Sequence, residues 1–240
     1  MNNTLKIFAA LILGTFIFHS TLNYMLGNIE DFETVRLPPK LPKKVAPGNS
    51  YPLIKVDATS KDLWTMLDFA TGETFNVKEP EQELDKIKQK NWDMGFQRTK
   101  IITNGGELKT GAEVGVINLG PVDIASVESA PPTGYVQMTK SFGKLSNKAI
   151  SDWYNYRTRT HNIESNKNVY IVKTHSGRFM KMKILNYYCQ NADVDCRTVM
   201  CSREEAACLS IAYAFQSEVD GKFPPPPSSK EAQPSTAKNN

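Results

Sequence analysis

The chain has 240 residues, 40% of them apolar and 10% aromatic, with 29 basic against 25 acidic side chains and a formal charge of +4. That length and composition build one good-sized core with appendages rather than two large domains. No basic block with interleaved aromatics occurs, which argues against nucleic acid as a partner.

The chain opens with MNNTLKIFAALILGTFIFHSTLNYMLG, one early lysine followed by a small or apolar run from Ile7 to Phe18. Such a run fits the apolar region of a secretory signal, yet no small-x-small cleavage site follows and no nearby cysteine offers a lipidation point. Leu5 to Leu26 is 22 residues, enough for a helix to cross a hydrocarbon core of about 30 Å. The reading favoured over a cleaved peptide is an uncleaved transmembrane anchor at residues 1–27, touching membrane lipid through residues 5–26. Lys6 precedes the apolar run that starts at Ile7, whereas Glu30, Asp31 and Glu33 follow the span. The positive-inside tendency then predicts a single-pass inner-membrane protein with its bulk in the periplasm.

Residues 28–50 contain RLPPKLPKKVAPG, a Pro/Lys-rich spacer that cannot join a sheet interior. A globular domain is expected over 51–223, and the Pro/Ser/Lys segment 224–240 is expected to be a disordered tail. Within the domain, Leu63 to Phe69 and Thr74 to Val77 flank Thr71-Gly72-Glu73 as a hairpin. Asn91 to Thr103 reads as a strand running into the turn Asn104-Gly105-Gly106. Further strands are expected at Gly134–Thr139, Val169–Thr174, Arg178–Tyr188 and Leu209–Gln216. Two helices are expected: 79–90, with early Pro80, acids at its start and lysines at its end, and 146–154, capped by Ser146. The fold class is all-β, an antiparallel sandwich-like domain with one or two short helices.

Thr174-His175-Ser176-Gly177 supplies a tight turn between two β-rich runs, which places His175 at an exposed hairpin tip. Beyond it, Lys181 and Lys183 alternate with Met180, Met182 and Ile184, a period of two that puts the lysines on a wet face. All four cysteines fall within 189–208, spaced by six, four and six intervening residues, which is not a zinc-ribbon pattern. In an exported chain they read as two disulfides. Three connectivities are open; the neck of the final hairpin favours Cys189–Cys208 with Cys196–Cys201 nested inside.

The histidines are His19, His161 and His175, and no P-loop or GxGxxG opens a helix. With acids scattered and Asp93 placed as a structural hydrogen-bonding residue, no catalytic constellation assembles, and the chain is not expected to be an enzyme.

Four segments nonetheless stand in a telling order: WDMGFQRTKIITNGG at 92–106, GYVQ at 134–137, WYNY…TH at 153–161 and VYIVKTHSGRFMKMKILNYY at 169–188. Together they resemble the HmuY-like family of haem-binding proteins, over roughly Leu63 to Gln216. The resemblance implies antiparallel β-sheets, a periplasmic or cell-surface location, and haem held non-covalently by two axial side chains, paired His or paired Met in the family. Carried onto this chain, His161 is the first candidate for the haem iron, with Met138 or His175 as its partner. No histidine lies between Pro131 and Thr139, where the pattern places that partner and where Met138 is the strong iron ligand. The alternative is a non-catalytic accessory subunit of a respiratory or photosynthetic membrane complex, held by its transmembrane helix among integral membrane subunits.

Overall fold

The computed structural model describes residues 3–31, 51–188, 201, 203, 204, 206–218 and 220–226. The chain divides into two compact units, Met1–Ala46 and Pro47–Asn240. The first holds helix α1, Asn3–Asp31. Its stretch Asn3–Leu22 is long and apolar enough to cross a membrane. Large apolar side chains such as Leu11 and Phe16 lie bare on it. Thr15 and Thr21 donate their hydroxyls back to carbonyls one turn earlier, so these polar groups are satisfied inside the helix. The expected linker lies mostly outside the described residues, as do most of the tail and both Cys189 and Cys196.

The second unit, the β-domain, is built from two principal antiparallel sheets. One runs β1–β13–β12–β11–β6, with β1 at Leu53–Asp57, β6 at Gly115–Asn118, β11 at Val169–Lys173, β12 at Phe179–Tyr188 and β13 at Ala206–Phe215. The other runs β3–β2–β4–β5, with β2 at Trp64–Leu67, β3 at Thr74–Val77, β4 at Met94–Gln97 and β5 at Lys100–Thr103. Two hairpins stand beside them: β7 (Thr139–Ser141) with β8 (Lys144–Ser146), and β9 (Tyr154–Arg157) with β10 (Asn162–Ser165).

The inner faces of the two sheets make one core, in which Leu67, Met94 and Phe96 pack with Val172, Met180, Met182, Leu209 and Ile211. Each large side chain fully buried there contributes about 1.5–3 kcal/mol. The four-stranded sheet is covered on its other face as well, by Ile87 of the short helix α2 (Leu84–Lys88), Trp92, Leu108 and Met138. Gly95 in β4 is required by this double packing: a Cβ would meet Met66 Sδ at 2.5 Å and Ile102 Cγ1 at 2.9 Å.

The β2–β3 and β11–β12 hairpins form as expected, the latter turning on Gly177 at φ 80°. Other expectations change. The segment 91–103 is not one strand but the hairpin β4–β5, reversing at a left-handed Arg98 (φ 54°). The expected strand 134–139 reduces to a bridge between Val136 and Val116, ahead of β7. The helix expected over 79–90 shrinks to α2, because Ile87 is its one buried residue. The helix expected over 146–154 is a single turn in which Asn147 accepts from Ala149, Ile150 and Ser151, while Ser146 closes β8.

Lys181 departs most. It points away from the core, as the alternation requires, but is only 1% exposed. The outer face of the five-stranded sheet is covered by Tyr51, the loop through Ile124–Val127 and Phe223. Lys181 Nζ donates to Tyr51 Oη (3.0 Å), Ile124 O (2.9 Å) and Val127 O (3.0 Å), and lies 4.7 Å and 5.3 Å from the ring centroids of Tyr51 and Phe223.

Candidate functional site

The hairpin β9–β10 pairs Tyr156 with Ile163 and Arg157 with Asn162. Three bonds fix it to the sheet edge and its neighbouring loop. Ile163 N–H donates to Tyr188 Oη at 3.0 Å, Ser165 Oγ to Ile184 O at 2.6 Å, and Asn166 Nδ2 to Asp152 O at 2.6 Å. Arg157 and Glu164 close its outer side as an ion pair at 2.5 Å. The chain leaves the hairpin tip through His161 in the left-handed region (φ 55°). This folds the imidazole back onto the preceding strand, where Nδ1 sits 2.5 Å from Tyr156 Oη.

Beside this pair lies a cleft of about 470 Å³, within the usual range for small-molecule sites. Ile163, Tyr187 and Tyr188 give it an apolar, aromatic wall, and Arg98 and Arg203 supply positive charge. No carboxylate stands among its described lining residues, so the cleft favours a ligand with an apolar body and anionic groups. Burial pushes the Tyr187 phenol above its ordinary range, with the Arg98 charge pulling partly the other way. Thr160 also lines the cleft, and its buried Oγ1 has no hydrogen-bond partner among the described residues. A second, larger cleft of about 720 Å³ carries Lys61, Lys78, Lys100 and Lys144 against Asp62, Glu79 and Glu81. Neither His, Met nor Cys lines it among the described residues.

The three predicted ligands do not meet. His161 is exposed at the first cleft. Met138 is 2% exposed and packs with Trp92, Leu108 and Ile87 in the core behind the four-stranded sheet. Met66, Met94, Met180 and Met182 are equally interior. His175 occupies the predicted hairpin turn but is not in open solvent: its side chain is 17% exposed. The buried carboxylate of Asp93 accepts its backbone N–H at 2.8 Å and lies 2.9 Å from its Nδ1. The turn is docked because Asp93 also accepts Phe69 N–H at 2.9 Å, joining two loops through one side chain.

His161 shares its cleft with Tyr188, at one end of β12, while His175 lies beyond Phe179 at the other. Ten residues of strand separate those ends by about 30 Å, too far for both histidines to reach one iron.

Asp68 joins Asp93 and His175 in a cluster whose potential ligand atoms lie within 4.8 Å of one another. Its oxygens are engaged by the Ala70 N–H and the Thr71 hydroxyl, and those of Asp93 as above, so the cluster works as an architectural tie. Cys201 and Cys208 are each disulfide-bonded; the partners expected for them, Cys196 and Cys189, lie outside the described residues.

A haem site demands an iron-capable donor, apolar walls and cationic partners for carboxylates. The His161 cleft offers imidazole and phenol donors, both established haem ligands, together with tyrosine surfaces and two guanidinium groups. These residues fit such a group. Sequence reasoning found His161 but missed Tyr156, Arg98 and Arg203, for which the available signal was the spacing of Tyr156 and His161 about a hairpin tip.

The HmuY protein family model matches residues 60–199, more than half of the chain. No curated protein matches it. Among solved structures, the apo HmuY analog of Tannerella forsythia is 16% identical with a TM-score of 0.52, the match covering 70% of this chain and 96% of that one. Apo PinO from Porphyromonas gingivitis is 15% identical with a TM-score of 0.50, covering 68% and 96%. A Bacteroides vulgatus protein described as an HmuY-like candidate for haem binding is 20% identical with a TM-score of 0.47, covering 69% and 91%. The first two similarities show the fold, and the family match over residues 60–199 shows the descent: the chain belongs to the HmuY family.

Proposed function

We propose that this chain is a membrane-anchored periplasmic binding protein that takes up haem non-covalently in the His161 cleft and performs no catalysis. The observation that carries the reading is the placement of His161. Its imidazole stands at an open cleft with an aromatic wall and two arginines, whereas the described methionines of the β-domain are committed to the cores. Haem is the ligand that the family resemblance implies. Its apolar macrocycle matches Ile163, Tyr187 and Tyr188, and its carboxylates match Arg98 and Arg203. Bound haem would supply an iron centre for storage or hand-over; the protein's part is to ligate it and shield one face. The apolar helix α1 supports an anchor in the inner membrane, with lipid contacts through residues 5–26.

The test is titration of haemin into the full-length chain in detergent. Uptake should shift the Soret band, and His161→Ala should alter that spectrum. An unshifted Soret band at saturating haemin would exclude the haem reading and leave the accessory-subunit alternative, whose signature is co-purification with integral membrane proteins.

A further inference from the structure

Phe142 stands where an aromatic ring is doubly unfavourable. In the β7–β8 hairpin Ser141 pairs with Lys144, so the chain reverses on Phe142-Gly143. Both residues have positive φ, 47° and 75°, the pattern of a two-residue turn usually filled by asparagine and glycine. Gly143 meets that demand, whereas a bulky side chain in the left-handed region is strained. The Phe142 ring is also bare, at 102% exposure, so no packing within the domain offsets the strain. We infer that Phe142 is an insertion tip for an anionic lipid surface, with the lysines around it meeting the headgroups.

The hairpin is seated at its base and open at its tip. Leu145 packs against the core behind the four-stranded sheet, and Lys140 bridges to Glu81 at 2.6 Å. These contacts hold the strands in the register that imposes the turn, which is how a strained residue is kept in place.

Charge suits the same surface. Gly143 and Lys144 line the larger cleft beside Lys61, Lys78 and Lys100. With Lys140, five lysines stand around the cleft and hairpin against Asp62, Glu79 and Glu81, and Glu81 is paired with Lys140. A ring below the headgroups with ammonium groups at phosphate level is the usual arrangement of residues at a bilayer surface.

Two observations favour lipid over a protein partner. A single ring between Ser141 and Gly143 offers far less apolar area than a stable protein interface buries. On the anchor reading above, a bilayer is also always within reach: residues 32–50 separate α1 from Tyr51, a connection of at most about 70 Å when fully extended. Docking is then intramolecular, and a small contact suffices.

The test uses the full-length chain in proteoliposomes, with photoreactive benzoylphenylalanine placed at position 142 and circular dichroism to check the fold. In vesicles of phosphatidylcholine mixed with phosphatidylglycerol, irradiation should attach phospholipid at 142, read by mass spectrometry of the peptide. The yield should fall several-fold in phosphatidylcholine alone and at high salt. Lys144→Glu should lower it roughly fivefold or more, the share of one surface lysine. Amide exchange over 139–146 should slow in the mixed vesicles for the wild type and not for Phe142→Ser. No lipid adduct at 142, equal yields in the two kinds of vesicle, or cross-linking to a second copy of the chain would overturn the proposal. Alkaline carbonate washing tests the anchor separately. A chain stripped from the vesicles would refute the transmembrane reading, while adducts formed at 142 before the wash still decide the tip.

Discussion

Lys181→Met is the sharpest perturbation of the β-domain. The substitution keeps an unbranched stem of similar length and removes only the ammonium, whose three donors are engaged at 2.9–3.0 Å by Tyr51, Ile124 and Val127. In the variant the Tyr51 hydroxyl can turn elsewhere, but the Ile124 and Val127 carbonyls lose their partner, at about 1–3 kcal/mol each. Against this, the variant no longer desolvates a charge, a relief of several kcal/mol in a fully closed site. Here the relief is reduced by the two aromatic rings and by Asp123, which favours the charged form. The net loss is about 2 kcal/mol at neutral pH, or about 4–8 °C in Tm for a unit of this size.

Urea denaturation of the Pro47–Asn240 unit measures it. A variant as stable as the wild type, or more so, would refute the view that this ammonium holds the loop and both ends of the domain against the sheet. The pH dependence gives a second check. Burial lowers the Lys181 pKa below 10.5, so between the folded value and 10.5 the unfolded chain binds more protons. Stability from this group must then rise with pH through that window. The wild type should gain on Lys181→Met as the pH approaches 10.5 from below.

Tyr170, pushed up to about 12 by burial, has the opposite sign. Its neutral form is favoured in the fold, so stability is lost as pH rises from 10 to 12, on the order of 2 kcal/mol; Tyr170→Phe should flatten that loss in denaturation curves. Asp93→Ala should cost about 3 kcal/mol, because the buried N–H groups of Phe69 and His175 lose their acceptor, and hydrogen exchange at those two amides should accelerate. Gly95→Ala forces a methyl against Met66 and Ile102 and should cost about 1–3 kcal/mol by overpacking, read as a lower urea midpoint with unchanged slope.

The strands legible in the sequence were those announced by local chemistry. Gly72 and Gly177, both at positive φ, marked the β2–β3 and β11–β12 turns, and the β-branched runs around them left little alternative. The β4–β5 hairpin was invisible because its reversal uses Arg98-Thr99, with no glycine or asparagine, and an arginine in the left-handed region is held there by its surroundings rather than announced by type. The segment 79–90 had charges suited to a helix dipole but little apolar face to bury, so packing sustains only the turn around Ile87, closed by Trp92 Nε1 donating to the Ile87 carbonyl. Alternation along β12 assigned Lys181 to the correct face. Whether that face is wet depends on the loop near Ile124 and on Tyr51, far away in sequence.

The same limit shaped the reading of the site. The family resemblance and residue type nominated His161, Met138 and His175 together, because imidazole and thioether are the iron ligands that the resemblance implies. Depth then separated them: a thioether in a packed core fills volume, and an imidazole against a buried carboxylate ties loops. His161 is left with ligand chemistry because the β9–β10 hairpin lies outside both cores, so its strands can carry donors without opening a cavity in the sheets. Its neighbour was hidden because the contact with Tyr156 depends on a cross-strand register and on a left-handed residue at the tip, neither of which periodicity encodes. In a fold whose principal sheets are packed on both faces, ligand chemistry belongs on such satellite hairpins, where exchanging a donor such as Tyr156 costs little stability.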